Sequence, residues 1–248
     1  MSIAKAAFVL VHGGWHNHSV WDKVTPILQA QGFAALTLDL PGAGAKAIAP
    51  KSLSRRPFDP TAFATERSPM AVVTQEQRRQ AVAALVKEAA SLSDGKVILV
   101  GHSAGGMTIS AVAERVPDML LAIVYVAGFM APNGAPLLAM LQHETFSSAL
   151  SPGLFVGDPA AIGATRIHAG STDEAYRSLL KASFYADVVG RRLRACRVAT
   201  SLRRIKRRRL SPIGNHARKI WRGPAPLHPL HTGSRSSVDR PGSYDCNG

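Results

Sequence analysis

The stretch KVILVGHSAGGMTIS, residues 96–110, constrains the fold more than any other part of the chain. It opens with an unbroken apolar run, the pattern of a strand buried on both faces of a parallel sheet. A turn of small residues follows, and then a segment that reads as a helix from about Ala104 to Arg115. G-x-S-x-G on such a turn places Ser103 in a strained backbone, close to neighbouring chain. Gly101 and Gly105 supply the room, and His102 completes the elbow. The helix behind Ser103 favours negative charge at its N-terminus. A serine hydroxyl is a weak nucleophile alone. It needs a histidine to take its proton and a carboxylate to orient that histidine.

The neighbouring sequence repeats the alternation. AAFVLVHGG is a second buried strand, and SVWDKVTPILQAQGF a helix with Val20, Val24, Ile27 and Leu28 at helical spacing and Gly32 as its stop. AALTLDLPGAG is a strand running into a turn, and residues 45–72 read as loop. TQEQRRQAVAALVKEAASL is a helix capped by Thr74, with Ala81, Leu85 and Val86 on one face. LLAIVYVAGFM is a further buried strand. Residues 131–187 are less regular, with a helix around TDEAYRSLLKASFY. Strands alternating with helices predict an α/β fold, a mostly parallel sheet flanked by helices. A long insertion after a strand predicts a cap over the site.

A second motif is VLVHGGWHNHSVW, where His12, Gly13 and Gly14 follow the first strand. Acyl transfer needs two backbone N–H groups aimed at the developing oxyanion. The residue after the nucleophile, Ala104, supplies one, and a loop after an earlier strand supplies the other, here Gly14. His12 and Gly13 are expected to support that loop, with His12 bracing it rather than acting as the base. Trp15 and Trp21 are expected to pack. Whether His16 and His18 line the pocket stays open at this level.

FVLVHGGWHNHSVWDKV, LDLPGAG, VILVGHSAGGMTIS and SFYADV together resemble the α/β-hydrolase superfamily, and within it the branch of methylesterases, hydroxynitrile lyases and related bacterial esterases. The resemblance covers about residues 6–188. It implies a Ser-His-Asp triad, an oxyanion hole at Gly14 and Ala104, a helical cap over an apolar pocket, and a small ester as substrate. Asn17 departs from the glycine usual in that branch. The lyases carry a threonine directly after the loop histidine. Gly13 at that position favours ester hydrolysis over the lyase alternative.

Composition changes near Val188. Residues 1–188 hold 15 basic and 14 acidic side chains, whereas residues 189–248 hold the other 15 basic residues and two acids, Asp239 and Asp245. The overall charge of +14 is therefore concentrated in a segment of 60 residues. RRIKRRR at 203–209 would attract phosphates, which makes a basic nucleic-acid-binding tail the alternative from another class. No aromatic interleaving or binding module accompanies it, so no specific nucleic acid is expected. The segment is rich in Arg, then in Pro, Gly and Ser, and is expected to be disordered and foreign to the family. The domain reading is a hydrolase domain at 1–188, with its cap at about 131–187, and a basic tail at 189–248.

In the family the acid and the base follow the nucleophile in the order Ser, Asp, His. After Val188 stand His216, His228, His231, Asp239 and Asp245, in the reverse order. The triad Asp and His are not identifiable, and the last part of the fold is expected to be missing. A shifted reading frame accounts for this. The degenerate codons of Ala225–Asp245, read one base later, permit RHYIRCTQDRAVPLTGQDRM, which resembles the family's late strand and acid-bearing loop. The same shift from about Gly190 permits AADFAHAAWLLHCDES. Two long family-like stretches in one frame point to a frame change near Val188 or Val189, and hence to an impaired enzyme.

The remaining inferences are exclusions. Cys196 and Cys246 form no disulfide framework. No metal-ligand spacing is present, and Gly42 and Gly44 lack the rest of a dinucleotide signature, so no metal and no cofactor are expected. No apolar run reaches the roughly 18 residues of a membrane span. Without a signal peptide, a cytoplasmic location is expected. Nothing fixes an oligomeric state.

Overall fold

A computed structural model describes residues 5–188. The basic segment 189–248 lies outside the described residues, and with it the arginine run, both cysteines and the five histidines and aspartates considered above.

Among the described residues, four parallel strands form one sheet in the order β2-β1-β3-β4. They are β1 (Ala7–Val11), β2 (Ala35–Thr37), β3 (Val97–His102) and β4 (Leu120–Val126). Successive side chains on a strand point to opposite faces. Ala7, Val9 and Val11 therefore join Val97 and Leu99 in a core beneath two helices, α3 (Gln75–Ser91) and α4 (Gly105–Ala113). Leu10 and Val100 face the other way and pack with Trp21, Val20 and Leu28. Both faces of β1 and β3 are covered, which is why these strands read as continuous apolar runs.

The helices follow local chemistry. At α3 the Thr74 hydroxyl accepts from Gln77 N at 3.2 Å, and the Gln77 side chain accepts from Thr74 N at 2.8 Å. This reciprocal cap fixes the first turn. The buried stripe of α3 is Val82, Val86 and Ala89; Ala81 and Leu85, expected on it, are only partly buried. The helix expected from Ser19 onward is broken. A 3-10 turn at His18–Trp21 is followed by a separate α1 (Thr25–Ala30), which Gly32 at φ +80° ends. Pro26 is the reason: it has no N–H for a continuing helix and fits only a first turn. Within the stretch expected to be loop, α2 (Pro60–Thr65) forms because Asp59 caps Ala62 N at 2.9 Å and proline takes the first position.

The largest departure is β4. Its composition predicts a buried strand, yet Leu121, Ile123, Val124 and Val126 are exposed, Leu121 to 61%. Among the described residues β4 pairs with β3 alone and forms the edge of the sheet. Leu120 and Tyr125 still pack against the core, but an edge without a further strand leaves one row of peptide groups open.

Residues 131–187 carry α5 (Leu137–Leu141), α6 (Pro159–Ile162) and α7 (Glu174–Phe184), with Asp173 capping α7 through Tyr176 N at 2.7 Å. Leu154, Leu180 and Tyr185 form a separate small core here. No helix among the described residues is long and apolar enough to cross a membrane.

Gly105, where α4 meets β1, tests this packing. A methyl group on it would lie 2.6 Å from His12 O and 2.9 Å from Val11 O, backbone atoms that cannot turn aside. Gly105→Ala is expected to lower stability by about 2 kcal/mol. Gly170→Ala, whose nearest neighbour would be His168 Nε2 at 4.0 Å, should be near neutral. Urea denaturation of the two variants makes the comparison.

Candidate active site

Val11 of β1 lies in register with Gly101 of β3. The loop that follows β1 and the elbow that follows β3 therefore leave the sheet side by side. On one flank of this pair β1 leads to β2, and on the other β3 leads to β4. Such a reversal of strand order at the carboxyl ends is where open α/β sheets hold their ligands.

Ser103 has φ +53°. A non-glycine residue in that region costs about 1–3 kcal/mol and persists only where its surroundings fix it. Here they do. Ser103 N donates to Val126 O at 3.2 Å, and Ser103 O accepts from Gly106 N at 2.9 Å and Phe129 N at 3.1 Å. The end of β4 and the first turn of α4 thus hold the elbow from both sides. Gly13 must be glycine for the same reason, since a methyl group there would stand 2.7 Å from Ser103 Cβ.

Gly14 and Ala104 face each other across this junction. A methyl group built on Gly14 would lie 4.0 Å from Ala104 Cβ. Neither backbone N–H donates to another group among the described residues. Ala104 stands at the start of α4, where the helix favours negative charge.

Three imidazoles surround the junction, and burial keeps each in its neutral form. His12 is buried and its Nε2 accepts from Leu40 N at 3.1 Å, so Nδ1 carries the proton and donates to Gly13 O at 2.8 Å. Desolvation pulls its pKa down to about 4, against a smaller upward push from the Gly13 carbonyl. His16 Nδ1 donates to Gly14 O at 2.7 Å, and its Nε2 takes the Tyr185 hydroxyl at 3.1 Å. Burial lowers its pKa as well, with Gly14 opposing. His102 is lowered first by burial and then by the nearness of His16, whose ring lies 6.0 Å away. Its Nδ1 is buried without a partner among the described residues.

His18 turns to Asp39 instead. Asp39 Oδ1 accepts from His18 Nδ1 at 2.7 Å and His18 N at 3.0 Å, and Oδ2 from Ala45 N at 2.9 Å. Burial pushes the Asp39 carboxyl up, but these bonds outweigh it and hold its pKa below the usual range. No hydrogen bond joins His18 to Ser103 among the described residues.

Trp15, which the sequence suggests is a packing residue, does more than pack. It has φ +58°, its indole N–H donates to Thr165 O at 2.8 Å, and its ring meets Phe155 and Phe184. Trp21 is a packing residue, buried beside Leu10 and Val100. The roles of Trp15 and His16 rest on partners some 150 residues away, which no local signal reveals. A surface depression of about 410 Å³ is lined by Lys51, Ser52, Arg55 and Glu66 and does not include Ser103.

Comparison with known proteins fits this geometry. A model of the alpha/beta hydrolase family matches residues 8–240, a span that runs on past Val188. The chain belongs to the alpha/beta hydrolase family. It is similar to Methylesterase 2 of Arabidopsis thaliana, 31% identical over 153 residues that make up 62% of this chain and 50% of that protein. It is also similar to the carbendazim hydrolyzing esterase of Nocardioides sp. (strain SG-4G), 34% identical over 136 residues, 55% of this chain and 47% of that one. Among solved structures it resembles a pyrethroid hydrolase from Sphingobium faniae JZ-2, with a TM-score of 0.51 and 20% identity over 75% of this chain and 63% of that one. That likeness is one of fold. The chain spans about half the length of the curated relatives it matches.

The neutral histidines make the family's elbow sensitive to acid. His12 in the unfolded chain binds a proton near its ordinary value of 6.5, and in the folded chain only near 4. Its contribution is complete above about pH 6.5 and is lost as the pH falls towards 4, because the unfolded state binds more protons in that window. The loss for His12 amounts to about 3 kcal/mol. His16 and His102, also held neutral, add to the same slope. Urea midpoints across this range should show the decline, and His12→Gln should flatten it.

Proposed function

We propose that this protein is a serine hydrolase of the esterase type, cleaving a small, largely apolar carboxylic ester. One observation carries the reading: Ser103 stands at φ +53° on a strand-to-helix elbow, beside two backbone N–H groups without partners among the described residues. In this reading Ser103 Oγ attacks the ester carbonyl carbon. The carbonyl oxygen takes the negative charge and is held by Gly14 and Ala104, the alcohol leaves, and water releases the acid from the acyl-serine. His12 and His16 are unsuited to act as base, because both nitrogens of each ring are already engaged. In this reading the base and its orienting carboxylate belong to the part of the family fold beyond Val188, in the order Ser, Asp, His, and would be supplied there only by the restored frame.

Two features favour an ester over a cyanohydrin. The relatives named above are esterases, and Gly13 leaves no room for the threonine that the lyase chemistry places there, since even a methyl group would press on Ser103.

The reading frame of the gene, in this proposal, changes near Val188 or Val189, and the chain as translated lacks the triad Asp and His. The open edge of β4, a strand of interior composition, supports this, as does the family-like peptide that the shifted frame permits. Resequencing codons 185–195 tests the frame; an uninterrupted frame removes this part of the proposal. The present chain is expected to hydrolyse p-nitrophenyl acetate weakly and to lose that activity in Ser103→Ala. Restoring the frame should raise the rate by a factor on the order of 10³, the scale on which triad members contribute. Hydrolysis that survives Ser103→Ala would falsify the serine mechanism.

A further inference from the structure

We propose that His16 is a positioning residue of the oxyanion site and that Tyr185, at the end of α7, holds it in place. The proposal rests on the reading of Gly14 as an oxyanion donor. Two successive peptide units of the loop after β1 are each clamped by an imidazole. His12 donates to Gly13 O, and that peptide unit carries the Gly14 N–H. His16 donates to Gly14 O, and that unit carries the Trp15 N–H. With both carbonyls held, the plane of the donor peptide cannot rotate away from Ala104.

The two clamps answer to different parts of the molecule. The second nitrogen of His12 takes Leu40 N–H, just beyond β2, so its orientation is fixed by the sheet. The second nitrogen of His16 takes the Tyr185 hydroxyl, from the segment that follows β4. A carbonyl only accepts, so Nδ1 of His16 carries the proton, and in the neutral ring Tyr185 donates to Nε2. Burial among His102, Phe184 and Tyr185 favours that neutral ring. Trp15 reinforces the link through Thr165 O and its contacts with Phe155 and Phe184. The left-handed backbone at Trp15 is therefore held by the same segment that carries Tyr185. Seating of residues 155–185 and alignment of the Gly14 donor are one event: a substrate that keeps this segment in place keeps the donor in place.

Tyr185→Phe removes the hydroxyl and keeps the ring. Backbone order parameters from ¹⁵N NMR relaxation on the full chain read the consequence without needing turnover. Those of Gly14 and Trp15 are expected to fall from the rigid range of about 0.85 towards 0.6, while amides of β1 and β3 keep theirs. The His16 Nε2 resonance should move towards that of an unbonded imidazole nitrogen. His16→Gln, as a second variant, should loosen the same two amides. Unchanged order parameters in the loop of both variants overturn the proposal, and so does a fall spread evenly through β1 and β3. The hydrolase reading fails separately: turnover that survives Ser103→Ala removes it, while the order parameters still decide whether Tyr185 and His16 order the loop.

Discussion

The parallel pairing of β1 with β3 is the constraint on which the rest depends. Because Val11 and Gly101 share a register, two backbone turns leave the sheet at the same height. Everything proposed for the site follows from their closeness. Gly13 and Gly105 exist because the turns approach so nearly that a methyl group on either would collide. Ser103 tolerates a left-handed backbone because its peptide groups are tied to Val126, Gly106 and Phe129. A looser sheet would relax the elbow and part the loop of Gly13 and Gly14 from it.

Much of this could be read from the residues, because the signals are local. Apolar runs mark the strands, Thr74 marks the start of α3, TDEAYRSLLKASFY marks α7, and the small residues around Ser103 mark the elbow. The errors have local causes as well. Pro26 divides a stretch whose apolar spacing alone looks continuous, and Asp59 followed by Pro60 is a helix start hidden in a segment that looks like loop. What the sequence could not show is long-range. His16 meets Tyr185, and Trp15 meets Thr165, only because the chain returns over the sheet after 150 residues or more. β4 forms where its composition predicts a strand, and only its burial differs: composition reports the environment a strand suits, and burial depends on what stands beside it.

The electrostatics share one theme. Burial favours the uncharged form of His12, His16 and His102, and on the first two it outweighs the opposite pull of the Gly13 and Gly14 carbonyls. His12 and His16, engaged at both ring nitrogens, brace the loop with a fixed direction of hydrogen bonding. In the proposed mechanism the donors at Gly14 and Ala104 would then face the developing oxyanion.

β4 carries a cost of its own. Among the described residues, seven with the chemistry of an interior strand stand at the margin of the sheet, with Leu121, Ile123 and Val124 exposed. A margin of this kind, where nothing covers it, is a template on which another copy can build. Concentration, and not the packing of the core behind it, would then limit how far such a strand stays single.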